Sequence, residues 1–205
     1  LVITSVLIVT FWKYQNTASF FNNFRSSFFN TISIFTGTGY TTQNFNNWGS
    51  FITILFLFLM LVGGCAGSTT CGIKIFRLQI LYQAAKIQIF KLLNPHGVSV
   101  AKYNKMPVSE SITSSVMGYF FMFIVSYVLI TLILSFLGND FLTSLSGAAT
   151  SLANVGPGLG NVIGPSKTFA GLSDITKWVL IIGMLTGRLE LLSVIIILTP
   201  SFWKN

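Results

Sequence analysis

The chain has 205 residues, 52% hydrophobic and 8% charged, with a net charge of +8 and a mean hydropathy of +0.75. Soluble domains carry about 25% charged residues, so this chain lacks the polar surface that would keep it in water, and its length counts membrane spans rather than soluble domains. The positive balance does not point to nucleic acid, because no soluble reading domain accompanies it. Six of the twelve basic residues (Lys74, Arg77, Lys86, Lys91, Lys102 and Lys105) fall between two apolar segments, with Glu110 the one acid among them. That is the positive-inside pattern of a cytoplasmic connection.

Residues 1–12 are an apolar run ending in Trp12-Lys13-Tyr14, an interfacial edge. Twelve helical residues cover about 18 Å, short of the roughly 30 Å hydrocarbon core. With neither an initiator Met nor a charged leader region, the run predicts a spanning helix that begins before Leu1. Residues 20–35 mix Phe with Asn, Ser and Arg25, which suits a short helix buried in protein rather than facing lipid. Thr36-Gly37-Thr38-Gly39-Tyr40 follows, then polar residues 41–47 and a strongly apolar stretch from Trp48 to Val62. The pattern breaks over residues 63–72, where Gly63, Gly64, Gly67 and Gly72 each cost a helix about 1 kcal/mol relative to Ala. An amphipathic helix resumes over 73–93, and Asn94-Pro95-His96-Gly97 reads as a loop.

Residues 111–137 carry no charge and form the clearest spanning helix. A short helix over 140–153, capped at Asn139 or Asp140, ends at Asn154-Val155-Gly156-Pro157-Gly158-Leu159-Gly160. A polar loop over 160–173 leads to a last helix over 174–202, closed by Trp203-Lys204. Trp12, Trp48, Trp178 and Trp203 all fall at expected bilayer edges. The predicted topology has the N-terminus, basic loop and C-terminus inside and both glycine turns facing outside.

The two glycine turns lie 117 residues apart, each in the order spanning helix, short helix, turn, spanning helix. This is the layout of a re-entrant pore loop, in which backbone carbonyls replace the hydration shell of a passing cation. Glycine lets consecutive carbonyls point at one axis without a Cβ clash, and the short helix aims its negative C-terminal end at the same place. Thr36, Gly37, Thr38 and Gly39 form one candidate row of potassium ligands, with Asn154, Val155 and Gly156 its counterpart. The expected fold class is therefore an all-α integral membrane protein of pseudo-repeated helix–pore-helix–filter loop–helix units, with potassium-channel-like architecture. A filter closes a ring of four such loops. Either a preceding part of the protein holds the other two, which the missing Met favours, or two copies pair.

Segment 63–72 has three readings. Gly67 and Gly72 have the spacing of a phosphate-binding loop, but Lys74 is displaced by one, no Ser or Thr follows it and no strand precedes it, which rules that reading out. Gly63 and Gly67 also make a G-x-x-x-G suited to helix packing. The third reading is a flexible intramembrane gate under the filter, built from Gly63, Gly64, Gly67, Ser68, Thr69, Thr70 and Gly72, since irregular backbone at membrane depth survives only in protein or along a cavity. Arg188 would cost about 2.5–3.5 kcal/mol at a helix centre. It belongs either in an ion pair with another segment or below the filter, holding carbonyls of the 63–72 loop and raising a barrier to cations. Glu190, two positions on, points elsewhere. His96 lies alone in a loop, and Cys65 with Cys71 lacks two further ligands for a metal site.

These residues resemble the Trk/Ktr family of potassium-uptake proteins, its Trk branch in particular. The likeness rests on Thr-Gly-Thr-Gly-Tyr-Thr-Thr at 36–42, Gly-Gly-Cys-Ala-Gly-Ser-Thr-Thr at 63–70, Asn-Val-Gly-Pro-Gly-Leu-Gly at 154–160 and Gly-Arg-Leu-Glu at 187–190. It implies four helix–pore-helix–helix units around one pore, with residues 1–93 the third, 94–110 a cytoplasmic basic loop and 111–205 the fourth. It further implies filter glycines at Gly39 and Gly156, a gate loop at about 63–72, and Arg188 as the pore arginine opposing it. Family members are multi-pass proteins of the cell inner membrane that form homodimers and bind a cytoplasmic nucleotide-sensing ring, which would dock on the basic inner face. No cofactor is expected. Cys71 stands where the family pattern has glycine, which stiffens the gate at one point. Two other classes remain: a non-conducting assembly subunit, and an intramembrane enzyme, which lacks any carboxylate pair, Ser/His dyad or metal cluster at depth.

Overall fold

The computed structural model describes residues 1–14, 20–94, 100, 102–103, 106–189, 196, 199 and 202–203. Helix α1 (Val2–Tyr14) packs along α2 (Phe20–Thr36), and α3 (Ser50–Leu61) returns against α2 after a single 3-10 turn at Phe45–Trp48. Helix α4 (Ile75–Leu93) lies beyond the glycine-rich break and contacts α5 (Glu110–Phe136). Between them, β1 (Lys102–Tyr103) and β2 (Met106–Pro107) pair antiparallel, a small hairpin that the basic composition of this loop did not announce. Helix α6 (Phe141–Ala153) then packs on α5, followed by the short α7 (Gly160–Ile163) and α8 (Asp174–Arg188), which lies on both α6 and α5. The order α5–α6–α8 thus repeats α1–α2–α3.

Helix α5 is 27 residues long, about 40 Å at 1.5 Å per residue, and starts at a Ser109 side-chain cap on the Ile112 amide. Among the described residues it is the one helix long and apolar enough to cross a bilayer. Only 17% of its most apolar window is buried. A core helix this apolar would be covered all round, so most of its surface is left for an apolar environment outside this chain. Helices α1 and α3 are apolar but only 13 and 12 residues long.

Helix α6 is the opposite case: every residue from Thr143 to Ala153 except Leu145 is buried. Asp140 caps it through the Thr143 amide, and small side chains let neighbours approach closely. On α8, a Cβ at Gly183 would come 2.7 Å from Ser151 Oγ, and one at Gly187 would run into the Leu152 carbonyl. Gly183-x-x-x-Gly187 is therefore the small-residue face that seats α8 on α6. The two repeats share one apolar core, in which Phe45, Ile52 and Phe56 meet Ala149, Ala153, Val155 and Leu159.

Three expectations change. Helix α2 is not buried all round: its Asn23, Ser26, Ser27, Asn30, Thr31 and Ser33 face inward, while Phe20, Phe21 and Phe28 are exposed. Part of that polar face is bonded: Asn30 Nδ2 donates to Ser26 O at 2.7 Å and Thr42 Oγ1 at 2.8 Å, and Asn30 Oδ1 accepts from the Thr42 amide, whereas the buried Ser27 and Thr31 hydroxyls find no partner among the described residues. The Gly63-x-x-x-Gly67 spacing lies on no helix, so it makes no helix-packing face. Finally, the helix expected over 174–202 is interrupted: α8 ends at Arg188 with Leu189 as its C-cap, and Ile196 is again helical. Arg188 sits in the last turn rather than mid-helix, where a cation is favoured by the helix dipole. Residues 190–195 and 197–198, where the sequence predicts continuing helix, lie outside the described residues, as do Glu190 and His96.

Candidate functional site

The first glycine turn is built by α2 folding back on its own end. The amides of Thr38 and Gly39 both donate to Ser33 O, at 3.1 and 3.4 Å, and Gly37 N donates to Ile34 O. Ser33 Oγ also meets Thr38 Oγ1 at 3.1 Å. The second turn repeats this geometry at the end of α6. Val155 N donates to Thr150 O at 3.2 Å, Asn154 N to Ser151 O, and Gly156 N to Thr150 Oγ1 at 3.0 Å. Gly37 (φ 68°) and Gly39 (φ 76°) match Asn154 (φ 51°) and Gly156 (φ 109°) position for position. These left-handed residues turn the amides inward to the helix ends. Among the described residues, no hydrogen bond reaches the carbonyl oxygens of 36–39 or 154–156.

The two turns lie side by side. A Cβ on Gly39 would stand 2.5 Å from the Val155 carbonyl oxygen and 3.1 Å from Pro157 Cδ, and one on Gly156 would stand 3.6 Å from Gly39 Cα. Behind them, Asn46 clamps the second loop: its Nδ2 donates to Gly160 O at 2.7 Å and its Oδ1 accepts from Gly160 N at 3.2 Å. Thr41 Oγ1 donates to Pro165 O, and Asn44 Nδ2 to Ser166 Oγ. Sequence reading passed over these latches as a polar stretch; the run Asn44-Phe45-Asn46-Asn47 was the available signal.

Segment 63–72 forms a loop closed at its neck. Ile73 N donates to Leu61 O and Gly63 N to Ile73 O, both at 2.9 Å, and Ile75 N donates to Gly64 O at 3.1 Å. The neck needs its glycines for space: a Cβ at Gly63 would meet Cys71 O, and Gly72 has φ 83° with Leu61 O only 2.9 Å from where a Cβ would be. Inside, Thr70 Oγ1 accepts from Gly64 N and meets Ser68 Oγ at 2.6 Å. Only Gly67 stands in open space. Three of the segment's four glycines are thus held in close contacts, and Gly67 at the tip is not.

Arg188 reaches this loop from α8. Its Nη1 donates to Thr69 O at 2.9 Å and lies 3.8 Å from Cys71 Sγ. Among the described residues its partners are a carbonyl and a thiol, with no carboxylate. Ser68, Thr69, Thr70, Lys74, Arg77 and Arg188 are among the residues lining a cavity of about 250 Å³ beside the loop, and none of its described lining residues is acidic. Arg77 sits over the Tyr119 ring at 3.6 Å, fixing α4 to α5 on the cavity wall.

Paired helix–short helix–glycine turn–helix repeats, whose turn carbonyls accept no hydrogen bond among the described residues, define an all-α integral membrane protein of the re-entrant loop class. The chain belongs to the TrkH family, described as cation transport proteins, whose family model matches residues 7–204. It is 43% identical over 205 residues to the Trk system potassium uptake protein TrkI of Halomonas elongata, covering all of this chain and 42% of that protein. It is 36% identical to TrkH of Vibrio parahaemolyticus over 94% of this chain and 39% of the relative. Its structure superposes on the crystal structure of the Vibrio parahaemolyticus potassium transporter TrkH with a TM-score of 0.90 at 34% identity, covering 98% of this chain and 43% of that one. The chain therefore spans about two fifths of the length of the relatives it matches.

Proposed function

We propose that the chain is part of a potassium-uptake protein, in which Thr36–Gly39 and Asn154–Gly156 contribute carbonyl oxygens to a selectivity filter. The observation that carries this reading is the pair of matched left-handed turns lying in contact, with amides bonded inward and carbonyls left without donors. A desolvated cation needs such oxygens, and a repeated unit supplies them around one axis. Residues 1–93 and 111–205 serve as the third and fourth units of four, and 94–110 as the cytoplasmic connection. The loop at 63–72 acts as the gate beneath the filter: Gly63, Gly64 and Gly72 form its fixed neck, and the stretch from Gly67 through Ser68, Thr69 and Thr70 its moving tip. Arg188 holds the tip closed and sets a positive barrier in the pathway. The whole protein is a multi-pass protein of the cell inner membrane, a homodimer, and the docking site of a cytoplasmic nucleotide-binding ring on its basic inner face. It has no enzymatic role.

The test is uptake of ⁸⁶Rb⁺ and ²²Na⁺ by the full-length protein in cells lacking their own potassium uptake. Rubidium uptake exceeding sodium uptake is the expected result. No flux from a correctly inserted protein, with its cytoplasmic partner present, would instead favour a non-conducting assembly subunit.

A further inference from the structure

We propose that Asn154 is a positioning residue that couples the second glycine turn to the 63–72 loop through its side-chain amide; this deepens, and rests on, the filter-and-gate reading above. Asn154 is the one non-glycine residue with positive φ among the described residues. That conformation costs most side chains but is tolerated by Asn. The matching position in the first turn is Gly37, which meets the backbone requirement with no side chain at all. The second turn thus carries an amide that the turn itself does not need.

That amide is in use. Asn154 Nδ2 donates to Met184 O at 3.0 Å and lies 3.6 Å from Cys71 Sγ. Met184 is one helical turn before Arg188 and on the same face of α8. Arg188 Nη1 in turn holds Thr69 O at 2.9 Å and approaches the same Cys71 sulfur at 3.8 Å. A continuous path therefore runs from the turn at 154–156, through one amide, to α8, to the guanidinium and onto the loop. Gly183 and Gly187 seat α8 directly on α6 at Ser151 and Leu152, the residues just before Asn154. Over that short, close-packed span the amide fixes the height of Arg188 relative to the filter turn. When the turn is displaced, as by a change in its bound ion, Arg188 is displaced with it.

Two substitutions separate the side chain from the backbone. Asn154→Gly keeps the left-handed turn and removes the amide. Asn154→Asp keeps shape and left-handed tolerance and loses the donor to Met184 O. Both are made in the full-length protein with Cys71 as its one remaining cysteine, alone and with Arg188→Ala. Two readouts are taken: the rate of Cys71 alkylation by a small charged thiol reagent in inverted membrane vesicles, and basal ⁸⁶Rb⁺ flux. Either substitution alone is expected to raise both by about three- to tenfold, the factor that one hydrogen bond contributes. In the Arg188→Ala background neither should add anything further, because the amide acts through Arg188. A local opening around the sulfur would still add in that background and would overturn the proposal. So would parental reactivity and flux in both variants, which would make Asn154 a left-handed turn residue and nothing more. If Asn154→Gly fails to insert, Asn154→Asp decides the question by the same criteria. A protein that carries no flux in any variant overturns the transport reading, while a non-additive change in Cys71 alkylation still upholds the link.

Discussion

Gly39→Ser is expected to lower the preference for rubidium over sodium by about tenfold or more, with the protein still inserted in the membrane. Gly39 has φ 76°, which costs a side-chain-bearing residue about 1–3 kcal/mol in backbone strain. The added Cβ also falls 2.5 Å from the Val155 carbonyl oxygen of the opposite turn, far inside any ordinary contact. That obstacle is backbone, not the end of a flexible side chain. Relief comes only by moving the oxygen that the filter reading assigns as an ion ligand, or by rotating Gly39 out of its own row. Selectivity between two monovalent cations is a difference of a few kcal/mol, and about 1.4 kcal/mol is tenfold, so strain of this size is enough to erase much of it. An inserted variant with an unchanged ratio of ⁸⁶Rb⁺ to ²²Na⁺ uptake would place the permeating ion away from these turns.

Arg188→Ala is expected to raise basal rubidium flux by about ten- to a hundredfold. A hydrogen bond from a charged donor contributes about 1.5–3 kcal/mol, and the bond from Arg188 to Thr69 O is the one side-chain tie between α8 and the tip of the loop among the described residues. Its loss frees the tip and leaves the neck at Leu61, Gly63 and Ile73 closed. The substitution also removes a positive charge from a cavity whose described lining carries Lys74 and Arg77 and no acid. Arg188→Lys divides the two effects, since it keeps the charge and loses the planar fork; its flux should fall between those of the parent and Arg188→Ala. Flux that drops to zero in inserted Arg188→Ala would give Arg188 a structural role in place of the latch.

The helices were legible because apolar runs and their interruptions are local properties. The short helices over 20–36 and 140–153, and the 27-residue α5, stand within two residues of where composition put them. The matched glycine turns were legible for a related reason: left-handed backbone leaves a mark in residue type at a fixed spacing. What lay hidden depends on residues distant in sequence. The neck of the 63–72 loop is closed by bonds between Leu61, Gly63 and Ile73, so four glycines read as uniform looseness when three of them serve close approach. The Asn46 clamp on Gly160 spans 114 positions, and the asparagine run at 44–47 marks one side of it without saying what it grips. Helix α8 was read as continuing past Arg188 because its apolar pattern continues, whereas Leu189 already leaves helical geometry. Cys71 looked like a small departure from a glycine pattern; its sulfur lies within reach of both Asn154 and Arg188.

In the proposed filter, the carbonyl rows of Thr36–Gly39 and Asn154–Gly156 hold the permeating ion. The most direct test is an anomalous difference map from crystals of the full-length protein grown in rubidium. Rubidium density is expected on the pore axis, at coordination distance from carbonyl oxygens of both turns, and lost when sodium replaces rubidium. Density confined to other parts of the protein, with the two turns well ordered and empty, would contradict it.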